Sequence, residues 1–361
     1  MKNLESTLLI SAAGLLLAGC LGKQETVTIC SCGGLAGGPL KPAAMITLPD
    51  EFNSPDGMTI GKDGAIYLSI NNVADQSHPA KIARISADDQ VSVFSDLPPH
   101  PKTGKASPLG IAFGSDGNLY VADNQAFVTE EPGHSRLLRV NIKDGKAVGT
   151  DVVVTGMTMA NGVSAHGDSI VVNDTAIDKT YPLKSGSYRF TVEELGKGDG
   201  GQPIQVRGLD DPHLIVSLET MNKEHQVGAN GVGFDSKGNL YVCNFGDAEI
   251  WKVTFKEDGK VDAKTLLCKG EGMASTDGLQ VDADDHLWVA DFLGNAIVRI
   301  CPDGTVKIIA SNEPGDGKDG ALDAPSECIR HGGKVYVSNI DLTYGPHKSD
   351  AVHSISVFKL P

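Results

Sequence analysis

The sequence predicts an all-β chain folded as a six-bladed β-propeller, and three observations carry that prediction. First, one short motif recurs six times: Pro55-Asp56-Gly57-Met58, Pro108-Leu109-Gly110-Ile111, Ala160-Asn161-Gly162-Val163, Ala229-Asn230-Gly231-Val232, Thr276-Asp277-Gly278-Leu279 and, degenerate, Pro325-Ser326-Glu327-Cys328. Second, a tight turn and another apolar run follow the copies, as in residues 64–69, 117–122, 238–243 and 286–290. Third, the copies are spaced by roughly fifty residues, the length of one four-stranded blade. At 361 residues the chain can fill this architecture as one repeat domain.

Blade 1 can be laid out strand by strand. Strand a is predicted over Gly57–Ile60, b over Ala65–Ile70, c over Lys81–Ile85 and d over Val91–Phe94. Its turns, Gly61-Lys-Asp-Gly64 and Ser86-Ala-Asp-Asp-Gln90, have hairpin chemistry. Blades 2, 4 and 5 repeat the plan around Gly114–Gly117, Lys143–Gly145, Asp235–Gly238, Glu257–Gly259 and Pro302–Gly304. Blade 3 is the longest and least regular, with a Gly-rich insertion near Gly196–Gly201. Blade 6 has only three strands at the C-terminus, ending with Ser354–Leu360. Ala43–Leu48 is the predicted fourth, so an N-terminal strand closes the ring and removes free sheet edges.

Strand polarity then sorts the connections. The a–b and c–d turns are expected on one face and uniformly short. The d–a and b–c connections fall on the other face and are long: residues 71–80, 123–136, 174–185, 219–228, 311–324 and 339–352. Long loops gathered on a rigid scaffold are where ligand chemistry collects. The same face carries the starts of the a strands, and so Asp56, Asn161, Asn230 and Asp277. Two carboxylates and two amides converging on one axis suit a hard cation, since calcium takes six to eight oxygen ligands. The competing reading makes these residues turn formers at strand starts.

The rest of the chain reads differently. Residues 1–20 have a short apolar stretch, Leu8–Leu17, followed by Leu17-Ala18-Gly19-Cys20. That is the pattern of a bacterial lipoprotein signal, too short for a membrane span. Cys20 is the expected lipidation site. Leu21 after it favours the outer membrane, so the protein is expected on the periplasmic side of the cell envelope. Residues 21–42 read as a flexible tether and 43–361 as the propeller. Cys30 and Cys32 match no good zinc spacing, and Cys243 reads as a small buried hydrophobe. A net charge of −15 with no basic stripe argues against nucleic acid. The protein is expected as a monomer.

The motif order resembles the superfamily of regucalcin (senescence marker protein), gluconolactonase, diisopropyl fluorophosphatase and paraoxonase, over residues from about 45 to 361. The resemblance implies one catalytic calcium, or another divalent cation, held by Asp56, Asn161, Asn230 and Asp277, with blade 2 silent at Leu109. It makes Asp277 the catalytic carboxylate, as nucleophile or as base for a water, and a lactone or related ester the substrate. Two departures stand out. The first-blade ligand in the family is usually Glu; here it is Asp56, with Glu51 a weaker candidate. The positions of a second, buried calcium are held by Gln280 and Ile329, so that site is not expected. Glu327 could be an extra ligand, a general base or a salt-bridged structural residue. His78, His134, His213, His225 and His347 are assigned to functional-face loops, without a choice among them as base. Asp316–Gly320 reads as a turn-rich loop rather than a calcium loop. The alternatives are a non-enzymatic, NHL-like binding propeller and a strictosidine-synthase-like protein without calcium chemistry.

Overall fold

The computed structural model describes residues 38–198 and 201–361, which form six antiparallel sheets, one per blade. Blade 1 runs Pro55–Ile60, Ile66–Ile70, Lys81–Ile85 and Val91–Asp96, in that order from the axis outward. Blades 2 to 5 start with Pro108–Phe113, Ala160–His166, Ala229–Phe234 and Leu279–Val281. In blade 6, Pro325–His331, Lys334–Asn339 and Ser354–Lys359 are completed by Pro42–Thr47, which pairs antiparallel with Ser354–Lys359. The ring therefore closes with strands from both ends, as the sequence predicts.

The apolar runs become buried strands because each blade is covered on both faces by its neighbours. Leu119–Asp123, Leu240–Asn244 and Leu287–Asp291 are buried along their whole length. Burying one such Leu or Val contributes about 1.5–3 kcal/mol. The outer strands are more exposed; Val261–Lys269 is mostly so. Hairpin turns set the register, and Gly64 needs its glycine because φ is +75° there.

Blade 3 departs from the expected plan. Its c strand, Leu183–Thr191, and d strand, Leu214–Thr220, are separated by residues 192–213, so the c–d turns are not uniformly short. The insertion opens with a helix, Val192–Lys197, started by a capping box: Thr191 accepts from the Glu194 N–H, and the Glu194 side chain answers the Thr191 N–H. Ile204–Gln205 then pairs in parallel with Lys146–Met157, adding a fifth strand to blade 2. The insertion thus covers an outer edge that would otherwise be free. The segments assigned to signal and tether up to residue 37, with Cys20, Cys30 and Cys32, lie outside the described residues. Cys243, Cys268 and Cys328 are buried free thiols, and Cys301 is disulfide-bonded.

Candidate functional site

The recurring glycines explain how the site is built. They are not turn residues; they lie within or beside the innermost strands, where neighbouring blades meet at the axis. A Cβ on Gly162 would sit 2.2 Å from the Asn230 oxygen, and one on Gly231 would sit 2.3 Å from the Asp277 oxygen. Only glycine lets adjacent inner strands approach this closely. Gly231 N–H donates to Asp277 O at 3.0 Å and Gly278 N–H to Ser326 O at 2.8 Å, so the backbone itself links blade to blade. The a–b register also shifts beside the motifs of blades 1, 3 and 4, between Pro55 and Met58, Ala160 and Val163, and Ala229 and Val232. A bulge of this kind re-aims a side chain. Here it leaves the residue before the glycine pointing to the axis.

Asp56, Asn161, Asn230 and Asp277 line one cleft at the mouth of the axial channel. The same four also line a narrower space further in, which they share with Ser326 and Glu327. Surrounding bonds fix their backbones. Ser338 Oγ donates to Asp56 O at 2.6 Å, Asn173 Nδ2 to Asn230 O at 2.7 Å, and Asp277 N–H to Ala290 O at 2.8 Å. Burial pushes the Asp56 carboxyl up to about 6, opposed by bonds from Ser326 and the Gly57 N–H. Burial also raises Asp277 well above the usual range, and the charges of Asp56 and Glu327 add to it while a bond with Asn230 opposes. These carboxyl groups repel one another when ionised. That is an arrangement a divalent cation relieves.

Glu327 brings a carboxylate to the start of blade 6, where it lines the inner space. Ser326 occupies the position equivalent to Asp56, and Glu327 replaces the motif glycine. Its carboxyl accepts from the Cys328 N–H at 3.0 Å and bonds with Gln280, and burial raises its pKa well above the carboxylate range. Gln280 also donates to Met58 O at 2.9 Å, tying blade 5 to blade 1. Glu51 does not reach the axis; it sits exposed on the turn Asp50–Phe52.

The cleft wall is apolar, and sequence reasoning missed it. Leu109, the silent position of blade 2, faces Phe245, Phe292 and Tyr344 within one cluster. The three rings stand 6.0–6.2 Å apart, centroid to centroid. Phe245 and Phe292 each follow directly on a strand b that ends in Asn244 or Asp291; that repeat was the available signal.

The histidines divide. His225 Nδ1 is 3.1 Å from the Tyr344 hydroxyl, and His347 Nε2 is 2.7 Å from Phe292 O, its pKa lowered by burial. Both brace the cleft wall. His78 lines a separate peripheral cavity, and His134 pairs with Glu131 at 3.0 Å. His213 does not belong to the functional face. It ends the c–d insertion, between Glu194 at 2.9 Å and Asp211 at 2.8 Å, stacked on Phe190.

The fold and this axial group of oxygen donors define a six-bladed propeller with a single-sided cleft. Residues 173–311 match the SMP-30/Gluconolactonase/LRE-like region, the family that the motif order resembles. Among relatives, an L-arabinolactonase from Azospirillum brasilense is 26% identical over 165 residues, 45% of this chain. The match spans about half of that protein, 54% of its length. Among solved structures, a gluconolactonase from Xanthomonas campestris superposes with a TM-score of 0.57 at 15% identity, covering 90% of this chain and 97% of the other. An aldose sugar dehydrogenase from Streptomyces coelicolor, solved with bound PQQ, also gives 0.57, at 17% identity and with 90% and 98% covered. Two such different activities on one scaffold show that these two likenesses speak to the fold.

Proposed function

We propose that this protein is a calcium-dependent lactonase or esterase. The observation that carries the reading is the convergence of Asp56, Asn161, Asn230 and Asp277 on the floor of an apolar-walled cleft. The donor set fits calcium: all four supply oxygen, two are carboxylates that burial and mutual charge disfavour as free anions, and the cleft leaves an open side. When bound, calcium supplies a positive charge that keeps these carboxylates ionised and polarises a carbonyl oxygen. Asp277 then acts as the catalytic carboxylate, attacking the acyl carbon or taking the proton of an attacking water. Asn161 and Asn230 offer amide oxygens as neutral ligands, and the Asn230 side chain bonds the Asp277 carboxyl. Leu109, Phe245, Phe292 and Tyr344 exclude water from the reacting bond.

The wall also selects substrate. Leu109, Phe127, Met159, Val227, Ile340 and Leu342 offer no side-chain partner to a ring of hydroxyl groups. We therefore place the preference at lactones or esters with an apolar body, ahead of free sugar lactones. The Leu17–Cys20 pattern supports a lipoprotein anchored through Cys20 at the periplasmic side of the outer membrane; labelling with a fatty acid that Cys20→Ser abolishes tests it.

The functional test is hydrolysis by the full chain of alkyl lactones, aryl esters and sugar lactones, with calcium and after complete chelation. Hydrolysis that needs calcium and is lost in Asp277→Asn is expected. Turnover that survives chelation would remove the metal from the mechanism. Calcium binding with no hydrolysis of any substrate would leave the cleft as a binding site.

A further inference from the structure

The closing blade carries a second group of acids, away from the axis. Asp323 lies two residues before its strand a, Asp341 two residues after strand b, and Asp350 in the loop that leads into strand c. One carboxylate oxygen from each lies within 4.8 Å of the other two. Asp323 and Asp341 are each 1% exposed, and Asp350 is half-buried. Among the described residues, both carboxylate oxygens of Asp323 are buried without a hydrogen-bond partner, and so is Oδ2 of Asp341. Such a carboxylate is strongly disfavoured unless something positive meets it.

Among the described residues, no lysine or arginine pairs with these three carboxylates. Asp316 adds negative potential to Asp323, and Lys318 is turned outward to pair with Asp316 in an exposed contact. His353 Nδ1 stands 3.1 Å from Asp341 Oδ2 without forming a directed bond. The Asp350 and Asp323 N–H groups are already committed, to Asp341 Oδ1 at 2.6 Å and to Asn339 Oδ1 at 3.1 Å. A second acidic group, Asp282, Asp284 and His286, makes the contrast. There Arg330 bonds both aspartates, at 2.8 and 3.2 Å, and Trp288 donates to Asp282.

We propose that Asp323, Asp341 and Asp350 form a second divalent-cation site, of calcium type, that pins the connections of the closing blade. The donors are all carboxylate oxygens, the preference of a hard cation, and atoms this close can share one ion at about 2.4 Å. The ion joins the d–a connection and both ends of the b–c loop. Asp341 lies between Ile340 and Leu342, which line the cleft with Tyr344. Occupancy therefore fixes one wall of the axial cleft as well as the ring closure.

The test is calorimetric titration of calcium into the full chain, compared with Asp323→Asn, Asp350→Asn and the Asp56→Ala/Asp277→Ala double variant. Asp323→Asn is expected to lose one calcium equivalent and the calcium-dependent rise in Tm that goes with it. Asp350→Asn, at a half-buried position that spares the fold, is expected to weaken the same equivalent by tenfold or more. The axial double variant is expected to keep that equivalent, so failure here and failure of the axial reading are distinguishable. Unchanged stoichiometry in both Asp323→Asn and Asp350→Asn overturns the proposal. So does complete loss of calcium binding in the axial double variant.

Discussion

Two rings of aspartate and asparagine surround the axis, one at the starts of the a strands and one at the ends of the b strands. The second ring comprises Asn71, Asp123, Asp174, Asn244, Asp291 and Asn339. Its members are buried, and the chain itself saturates them. Asp123 accepts from the Ser107 N–H at 2.7 Å, Gln125 at 2.8 Å and Arg136 at 2.6 Å. Asp174 accepts from the Thr158 and Met159 N–H groups, and Asp291 from those of Ala274, Ser275 and Gly294. Burial raises Asp174 and Asp291, but in each case backbone donors oppose it. In the first ring the opposing donors are few, and the carboxyl groups raise one another. The same residue types thus serve as loop clamps in one ring and as an open donor set in the other. Partner count separates them, where residue identity does not.

The largest break in this comparison is expected at Asp277. Asp277→Asn keeps the shape and removes the charge, so kcat/KM should fall about 10³-fold or more while the protein stays folded. In chelator the same variant should melt at a higher temperature than wild type, because it removes one of the repelling carboxylates. An unchanged rate would take Asp277 out of the chemistry.

The other ring should answer in the opposite way. Asp291→Ala leaves three N–H groups, that of Ser275 fully buried, and the Ser275 hydroxyl without their acceptor, at a cost of about 3 kcal/mol in unfolding free energy. Urea denaturation measures it. Activity per folded molecule should hold near wild type, and a loss of activity without a loss of stability would contradict the division of roles.

How far this division could be read beforehand differs by residue. The blades were legible because turn and strand recur together, and Asp56, Asn161, Asn230 and Asp277 because they recur at one place in that repeat. Glu327 could be placed at the start of blade 6 but given no single role, because its motif copy is degenerate and puts an acid where the other copies have glycine. Ile340, Leu342 and Tyr344 had no repeat to expose them, since the b–c loops differ in length and sequence from blade to blade. The helix at Val192–Lys197 was legible in principle: Thr191 and Glu194 have capping-box spacing. The pairing of Ile204–Gln205 with another blade was not, because a two-residue strand carries no pattern.

pH offers a graded version of the first test. Asp56 is a carboxyl whose folded pKa, about 6, lies above its ordinary value of 3.8. Folded protein therefore binds more protons than unfolded between these values, and stability falls as pH rises through that window. Without metal, the unfolding free energy should drop by up to about 3 kcal/mol from pH 4 to pH 7. Calcium should flatten or reverse this slope, because it binds the ionised form. Denaturation at several pH values, with and without chelator, measures the difference; a slope indifferent to calcium would detach Asp56 from the metal.

The smallest expected effect lies at the rim, where the cleft wall meets a bracing histidine. Tyr344→Phe keeps the ring among Phe245 and Phe292 but removes the hydroxyl that His225 Nδ1 meets at 3.1 Å. One net hydrogen bond between neutral groups is worth about 1 kcal/mol. If the bond only holds the wall in place, KM should rise several-fold with kcat nearly unchanged, since the lost contact acts on bound substrate and transition state alike. If His225 instead delivers a proton through the Tyr344 hydroxyl, kcat should fall and its pH profile should lose a limb. The first outcome keeps proton chemistry within the axial ring, at Asp277; the second moves part of it to a loop that no repeat encodes.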